Sequence, residues 1–244
     1  PNGGSIGIGF SMSSNVVTKG VDQLKQFGTT RRGWLGVKIQ DVSPEIAGAM
    51  GLEEAAGALV ADVPDGPAKD AGVRAGDVIP RFAGQPVAAA GDLTRRVADA
   101  PIGEAVPVIV LREGKTETLQ VTLGRREDAE AVPVPASADA GDVGPKEMET
   151  LGLTLAPLDD EARARLGIEA SAQGLLVLKV DPASDAAAKG LVEGDLITKV
   201  GQQTVARLQD LEDRIKEAKD GGRKSVLLLL RRGGDARYVA LSVE

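Results

Sequence analysis

The sequence contains one motif twice, and this repeat limits the possible folds more than any other feature. Residues 71–79 (AGVRAGDVI) recur, with substitutions, as residues 189–197 (KGLVEGDLI). The copies lie about 118 residues apart, which is too long for the period of a solenoid and fits a duplicated domain. The sequence therefore predicts two copies of one module.

Three further blocks repeat in the same order, which extends the match over most of each module. The pairs are 34–37 (WLGV) with 150–153 (TLGL), 57–60 (GALV) with 174–177 (GLLV), and 92–97 (DLTRRV) with 210–215 (DLEDRI). Modules of about 90 to 100 residues bury enough surface to fold without disulfides or metals. We expect a strand and a connecting helix over 1–30, a first module over 31–125, a linker over 126–146 and a second module over 147–244.

The hydrophobic patterns predict an α+β, mostly β fold, in which each module has several short strands, one long helix and one or two short helices. The predicted strands are 5–10, 34–39, 58–63, 78–82, 106–111 and 117–123, then 151–154, 175–180, 196–200, 225–230 and 237–243; the predicted helices are 15–27, 45–50, 68–71, 91–98 and 208–219. The linker is rich in Ala, Pro and acidic residues, so we expect a semi-extended tether.

The composition argues against catalysis and against several kinds of partner. The chain has no His and no Cys, so neither a Ser-His-Asp nor a Cys-His site can be assembled, and we expect no metal and no cofactor. A net charge of -7 with interspersed signs disfavours nucleic acid. The longest aliphatic run, 226–230, is too short for an integral membrane segment. The sequence therefore predicts a binding protein.

A short motif of any residue, an apolar residue, glycine and an apolar residue begins each module. Trp34-Leu35-Gly36-Val37 and Thr150-Leu151-Gly152-Leu153 are the two copies. Together with the Gly-Asp block downstream, the motif resembles the carboxylate-binding loop of PDZ domains. A glycine there lets successive backbone N–H groups converge on an anion.

The resemblance implies that each module is a small, partly open barrel of five to six strands with one long helix and one or two short helices. It also implies a groove between the strand after the loop and the long helix, where a peptide adds as one more strand. Apolar groove residues imply partners with apolar C-termini or unfolded segments. The predicted peptide-binding residues are Trp34, Leu35, Gly36, Val37, Ile39, Ala90, Leu93, Thr94 and Val97 in the first module, and Leu151, Gly152, Leu153, Leu208, Leu211 and Ile215 in the second.

The N-terminal residues extend the resemblance to one protease family. Residues 3–15 (GGSIGIGFSMSSN) resemble the last barrel strand of HtrA/Deg serine proteases, and residues 32–36 (RGWLG) resemble the entry into their first PDZ domain. Two modules after that strand point to the DegP/DegQ/Do-like members. That family's catalytic residues lie upstream of this strand, and the chain contains none of them. It also begins at Pro1, which predicts a fragment or mature segment.

The family resemblance implies a periplasmic module that captures exposed hydrophobic C-termini for a protease and chaperone and helps to assemble its oligomer. The alternative is a free-standing PDZ scaffold that clusters membrane or signalling proteins. A third interpretation is that one groove is closed and its module serves as a spacer. Thr150 in place of Trp34, and Glu212 in place of Thr94, make the second groove the stronger candidate for closure.

Overall fold

The computed structural model describes residues 14–28, 30, 32–125, 148–159, 162–163 and 173–243. The strand predicted at residues 5–10 and the predicted linker 126–146 lie outside these residues. The first described element is helix α1 (Ser14–Phe27), which ends at Gly28, a glycine with φ of +71°. Val17, Val21 and Leu24 lie on one exposed stripe of this helix.

The first module consists of an antiparallel sheet with helices packed against it. Its sheet runs in the order β2-β3-β4-β6-β7, with β5 paired to β4, while β1 pairs separately with β8. The elements are β1 (Gly33–Trp34), β2 (Lys38–Asp41), α2 (Pro44–Met50), β3 (Ala58–Asp62), α3 (Pro67–Asp70), β4 (Val78–Phe82), β5 (Gln85–Pro86), α4 (Ala90–Asp99), β6 (Ala105–Arg112), β7 (Lys115–Thr122) and β8 (Gly124–Arg125).

Hydrophobic periodicity explains how these elements share a core. Val106, Val108 and Val110 alternate along β6, so all three face the same side and are buried. Leu93 and Val97 are four residues apart on α4, so they lie on the same helix face and pack into the same cluster. The strand predicted at residues 34–39 is interrupted: residues 35–37 form a loop between β1 and β2.

The second module repeats this plan with one additional strand pairing. Its sheet runs in the order β15-β14-β12-β11-β10-β9, with β13 paired to β12. Neither sheet closes into a barrel in the described residues. The elements are β9 (Met148–Thr150), β10 (Leu153–Pro157), β11 (Leu175–Val180), α5 (Asp185–Ala188), β12 (Leu196–Val200), β13 (Gln203–Thr204), α6 (Leu208–Asp220), β14 (Ser225–Arg232) and β15 (Asp235–Ser242). The sequence did not predict β9, and β10 begins later than the strand predicted at residues 151–154.

The modules pack together through a hydrophobic cluster to which both contribute. Helix α2 and strand β3 of the first module lie on the outer face of β14 and β15. The buried residues of this cluster are Val42, Ile46, Ala47, Ala49, Leu59, Ala61 and Val78 from the first module and Leu227, Leu229, Tyr238 and Ala240 from the second. Because the centre of the interface is apolar and buried, it stabilises one relative orientation of the modules.

Polar contacts fix the register of this interface. The side-chain amide of Gln40 donates to the carbonyl of Tyr238 (3.1 Å) and accepts from its N–H (2.7 Å), so it satisfies both groups on the free edge of β15. Gln202 similarly donates to the Gly76 carbonyl at 2.8 Å and accepts from the Glu113 N–H at 2.9 Å. Burial raises the pKa of the Tyr238 phenol.

Candidate functional site

The loop of the first module turns sharply at Gly36, which has φ of +79°. Side chains other than glycine are strained at such angles. The Leu35 carbonyl accepts a hydrogen bond from the Ala68 N–H at 2.9 Å, which ties the loop to the start of α3. This backbone hydrogen bond to α3 therefore fixes the loop between β1 and β2.

Two residues before this loop, the chain passes very close to the end of α4. A Cβ atom added to Gly33 would lie 2.2 Å from the carbonyl oxygen of Val97, a distance that real structures do not allow. The Trp34 ring packs over Gly66, where an added Cβ would lie 2.6 Å away, and over Gly124 at 3.3 Å. Glycines at these positions make room for β1 and its tryptophan.

Strand β2 and helix α4 form the two walls of the predicted groove. In the described part of the chain β2 pairs with β3 alone, so its other edge is unpaired. Asp41 Oδ1, at the end of β2, accepts from the N–H of Ala90 at 2.8 Å, which joins the strand to the start of the helix. Thr94 is exposed on α4, and its hydroxyl donates to the Ala90 carbonyl at 3.0 Å.

The remaining predicted residues of the first groove lie at two depths. Val37, Ile39 and Ala90 are partly buried and pack on the edge of the core cluster. Leu35, Leu93 and Val97 are 3%, 1% and 7% exposed and belong to that core. The first set can present apolar surface to a ligand, whereas the second set supports that surface from beneath.

The corresponding loop of the second module has a different conformation. Strand β9 pairs with β10, with Thr150 opposite Leu153 and Glu149 opposite Thr154. Leu151 and Gly152 connect the two strands with φ of +55° and +70°, the signs required for a two-residue hairpin turn of type I′. These residues therefore form the tight turn of a hairpin, and the outer edge of β10 is already paired.

Contacts from the following segment hold this turn in place. The Gly152 carbonyl accepts from the Asp181 N–H at 2.8 Å. An added Cβ on Gly152 would lie 2.3 Å from the Cβ of Ser184, so only glycine fits here. Ser184 precedes the buried Ala186 by two residues, as Gly66 precedes Ala68, so Ser184 corresponds to Gly66. The glycine leaves space for the Trp34 ring in the first module, whereas the serine packs against the turn in the second.

On the helix of the second module, the predicted groove residues also divide between core and rim. Leu211 is fully buried and Ile215 is 8% exposed, so both belong to the core cluster. Leu151 in the turn and Leu208 at the start of α6 are partly buried and pack against that cluster. Leu153 is fully buried on β10.

The aspartate of the repeated Gly-Asp motif forms a buried ion pair in each module. Asp77 is 1% exposed and accepts from Arg112 Nε at 2.8 Å and from a terminal nitrogen of the same guanidinium at 2.7 Å. Asp195 is held by Arg232 in the same way, at 2.6 and 2.8 Å. The aspartate pairing raises the pKa of both arginines. The motif was visible in the sequence, but its partner was not, because each arginine lies more than thirty residues downstream.

Neither a metal site nor a membrane helix emerges from the described residues. No group of three or more acidic side chains there is arranged to hold a metal ion. None of the helices in that same part of the chain is long and apolar enough to cross a bilayer. What the geometry offers is one bare strand edge beside an apolar surface in the first module, and one covered edge in the second.

Comparison with known families identifies the class of protein. The PDZ domain model matches residues 4–123 and 150–243, which is nearly the whole chain. The chain belongs to the PDZ-domain family and carries two copies in tandem. This confirms the family and fold class that the sequence motifs predicted.

More specifically, the tandem is similar in sequence to part of DegP-like serine endoproteases. It is 38% identical over 244 residues to the probable periplasmic serine endoprotease DegP-like of Brucella suis, covering 100% of this chain and 45% of the relative. The relative of the same name from Bartonella henselae is 39% identical over 245 residues, covering 100% and 46%. The chain thus spans less than half the length of these relatives. Their names agree with the predicted periplasmic location.

Solved structures of the same group also align with the chain. The HtrA-type protease AlgW with decapeptide is 35% identical with a TM-score of 0.46, over 55% of this chain and 39% of that one. The serine endoprotease from Yersinia pestis is 29% identical with a TM-score of 0.40, over 49% and 38%.

Proposed function

We propose that the first module binds the C-terminal ends of extended polypeptides by adding them as a strand to β2. The observation that carries this proposal is the unpaired edge of β2, which lies beside an apolar surface and begins at the sharply turned Gly36 loop. Main-chain hydrogen bonds along such an edge bind any extended peptide, and neighbouring pockets select its side chains.

In this proposal the predicted residues of the loop, strand β2 and helix α4 divide into three roles. The backbone N–H groups of Leu35, Gly36 and Val37 hold the terminal carboxylate. Apolar ligand side chains contact Val37, Ile39 and Ala90, while the buried Leu93 and Val97 give that surface its shape from below. Because the side chains that would contact the ligand are apolar, we expect a preference for apolar C-termini.

Within the longer protein, we propose that the tandem captures exposed hydrophobic C-termini of unfolded proteins for a periplasmic serine endopeptidase and chaperone. The similarity to DegP-like proteases over the full chain supports this role. The same similarity weighs against a free-standing scaffold. We assign contacts with other subunits of the oligomer mainly to the second module, whose strand edge is already occupied.

The test uses the single tryptophan of the chain, Trp34, which adjoins the loop. An octapeptide ending in two valines should change its fluorescence with a dissociation constant on the order of micromolar or weaker. The same peptide with an amidated C-terminus should bind at least about tenfold more weakly, because one charge-assisted contact is lost. Equal binding of the two peptides would refute the carboxylate loop.

A pair of glycine variants provides the matched control. Gly36→Ala and Gly103→Ala introduce the same methyl group at nearly the same φ, +79° and +80°, in the same module. The positive φ strains alanine equally at both positions, but the added methyl of Gly36→Ala also lies 3.3 Å from the Trp34 ring, whereas that of Gly103→Ala meets no atom within 4 Å. Gly36→Ala should therefore lose somewhat more stability, and it should lose peptide affinity while Gly103→Ala keeps it. Loss of affinity in both variants would attribute the effect to stability alone.

A further inference from the structure

The direction of β9 is the direction that a bound peptide must have. Strand β10 starts at the loop and runs away from it, so a ligand whose last residue reaches the loop must run antiparallel to β10. Strand β9 does so: it is antiparallel to β10 and its last residue, Thr150, meets the turn. It also lies on the edge of β10 opposite β11, which is the edge that corresponds to the unpaired edge of β2.

We propose that the edge of β10 is a second, latent strand-binding site, which the chain's own segment Met148–Thr150 occupies. The proposal rests on the function assigned to the first module, because it assumes that the same edge in the second copy can accept a peptide. An external peptide would have to displace β9 before it could bind there. The tandem as it stands thus offers one open site and one closed site.

The turn explains why β9 competes so well with an external ligand. Two residues connect β9 to β10, so β9 is present at an effective concentration in the millimolar range or above. Leu151 adopts an unfavourable positive φ, but its side chain packs on the core cluster of the module, which offsets that strain. A free peptide with micromolar or weaker intrinsic affinity would be strongly outcompeted.

The residues before the loop explain why the two copies differ. Gly33 corresponds to Glu149, and Trp34 corresponds to Thr150. In the first module the absence of a Cβ on Gly33 lets β1 pass against the Val97 carbonyl and pair with β8. A glutamate cannot take that path, and a threonine cannot replace the packing of the Trp34 ring. The second chain segment therefore lies on β10 instead.

A cysteine pair tests whether β9 occupies this edge in solution. The chain has no native cysteine, so Glu149→Cys with Thr154→Cys adds one possible disulfide between two directly opposed residues. We expect it to form readily under mild oxidation. In the control, Glu149→Cys with Lys179→Cys, the second cysteine is one strand further away, about 10 Å, and should remain reduced. Equal crosslinking of both pairs, or of neither, would overturn the proposal.

Binding to an opened variant tests whether the site is latent. Met148–Thr150 is replaced by Gly-Ser-Gly to weaken β9, and Gly36→Ala removes binding by the first module. The probe is a synthetic peptide of residues 146–150 with a free carboxylate. The opened protein should bind one equivalent at least about tenfold more tightly than the Gly36→Ala protein with intact β9, as measured by calorimetry. Equal affinities would overturn the latent site.

The two proposals fail in different ways. If the first module binds no peptide, the fluorescence titration of the protein with intact Gly36 shows it, whatever β9 does. If β9 is not an occupant, the cysteine pair shows it without any ligand. If the opened variant does not fold, oxidation of the cysteine pair in the otherwise intact chain still decides whether β9 lies on β10.

Discussion

The two modules have similar sheets, a long helix and a buried ion pair each. They differ at the strand edge beside the long helix, which is unpaired in the first module and paired in the second. In the first module, β1 precedes the loop and pairs with β8, so that among the described residues β2 is paired on one side only. In the second, β9 turns back and pairs with β10. The difference teaches that the residues before a binding loop can decide whether the loop's strand is available.

A steric difference of one Cβ atom underlies this contrast. Gly33 lies against the backbone of α4, at a distance that excludes every other residue. The ring of Trp34 then covers Gly66 and Gly124 and stabilises this path. At the equivalent positions of the second module, Glu149 is too large to approach the helix in this way, and Thr150 has no ring that could cover the neighbouring residues. The segment therefore forms a two-residue hairpin with the following strand.

The largest expected effect comes from the ion pair that both modules share. Asp77→Ala should cost about 3 to 5 kcal/mol of unfolding free energy. The largely buried guanidinium of Arg112 loses both hydrogen bonds to Asp77 and keeps only Glu117 and the Gly72 carbonyl, and the N–H of Arg74 loses its acceptor. Asp195→Ala should cost less, because Arg232 is 51% exposed and can turn into water. Urea denaturation measures both, and an equal loss in the two variants would show that exposure of the arginine does not matter.

Exchanging the residues before the loop should make the first module resemble the second. Gly33→Glu with Trp34→Thr should displace β1 from α4 and cost about 3 kcal/mol, the range for loss of a packed tryptophan. Peptide affinity should also fall by about tenfold or more, because the loop loses its support. Denaturation and calorimetry measure these effects. Gly91→Glu, at an exposed helix position with open space around it, is the control; it should keep the peptide affinity and should not lower stability, because glutamate favours a helix more than glycine does.

A smaller effect tests whether the modules act as one unit. Gln40→Ala should cost about 1 to 3 kcal/mol, because it leaves the buried N–H and carbonyl of Tyr238 without partners. The loss should appear as earlier separation of the modules, visible as two unfolding transitions in calorimetry. Gln120→Ala, on the exposed face of β7, is the control and should keep the wild-type transition. A single unshifted transition in Gln40→Ala would mean that this contact does not couple the modules.

The smallest effect concerns pH and should be shared by both long helices. A hydrogen bond from Arg96 lowers the pKa of Asp92 below its ordinary 3.8, and one from Arg207 lowers that of Asp210. A depressed pKa in the folded state means that each carboxylate stabilises its helix start above pH 4 and that this stabilisation is lost as pH falls through the folded-state value. Thermal melts below pH 4 should show it. Asp92→Asn and Asp210→Asn should each weaken the dependence of the melting temperature on pH. Unchanged slopes would show that these carboxylates do not cause it.

Much of the fold could be predicted because it follows from local patterns. Alternating valines predicted β6, and spaced leucines and valines predicted α4 and α6, since periodicity depends on neighbouring residues alone. The strands Val78–Phe82, Leu175–Val180 and Leu196–Val200 have the predicted limits. The resemblance to a known family then supplied the arrangement of these elements.

The site was harder to predict, because its contacts join distant residues. Within the Leu-Gly motif, Thr150 in place of Trp34 favoured the second groove for closure, but the motif did not show that the second loop is a hairpin turn. The difference between the two loops depends on the close approach of Gly33 to Val97, which is sixty-four residues away in the sequence. It also depends on Gly66 and Gly124, which leave space for the Trp34 ring. The pairing of Gln40 with Tyr238 was likewise invisible, since it depends on how the modules pack.

Hydrogen exchange at the two edge strands tests the contrast most directly. In the free protein, amides of Leu153–Pro157 that face β9 should be protected, while those of Lys38–Asp41 that face away from β3 should exchange rapidly. Adding the apolar octapeptide should slow exchange along Lys38–Asp41 and leave Leu153–Pro157 unchanged. Rapid exchange along β10 in the free protein, or protection of β10 in place of β2 by the peptide, would contradict the assignment of an open first site and a closed second one.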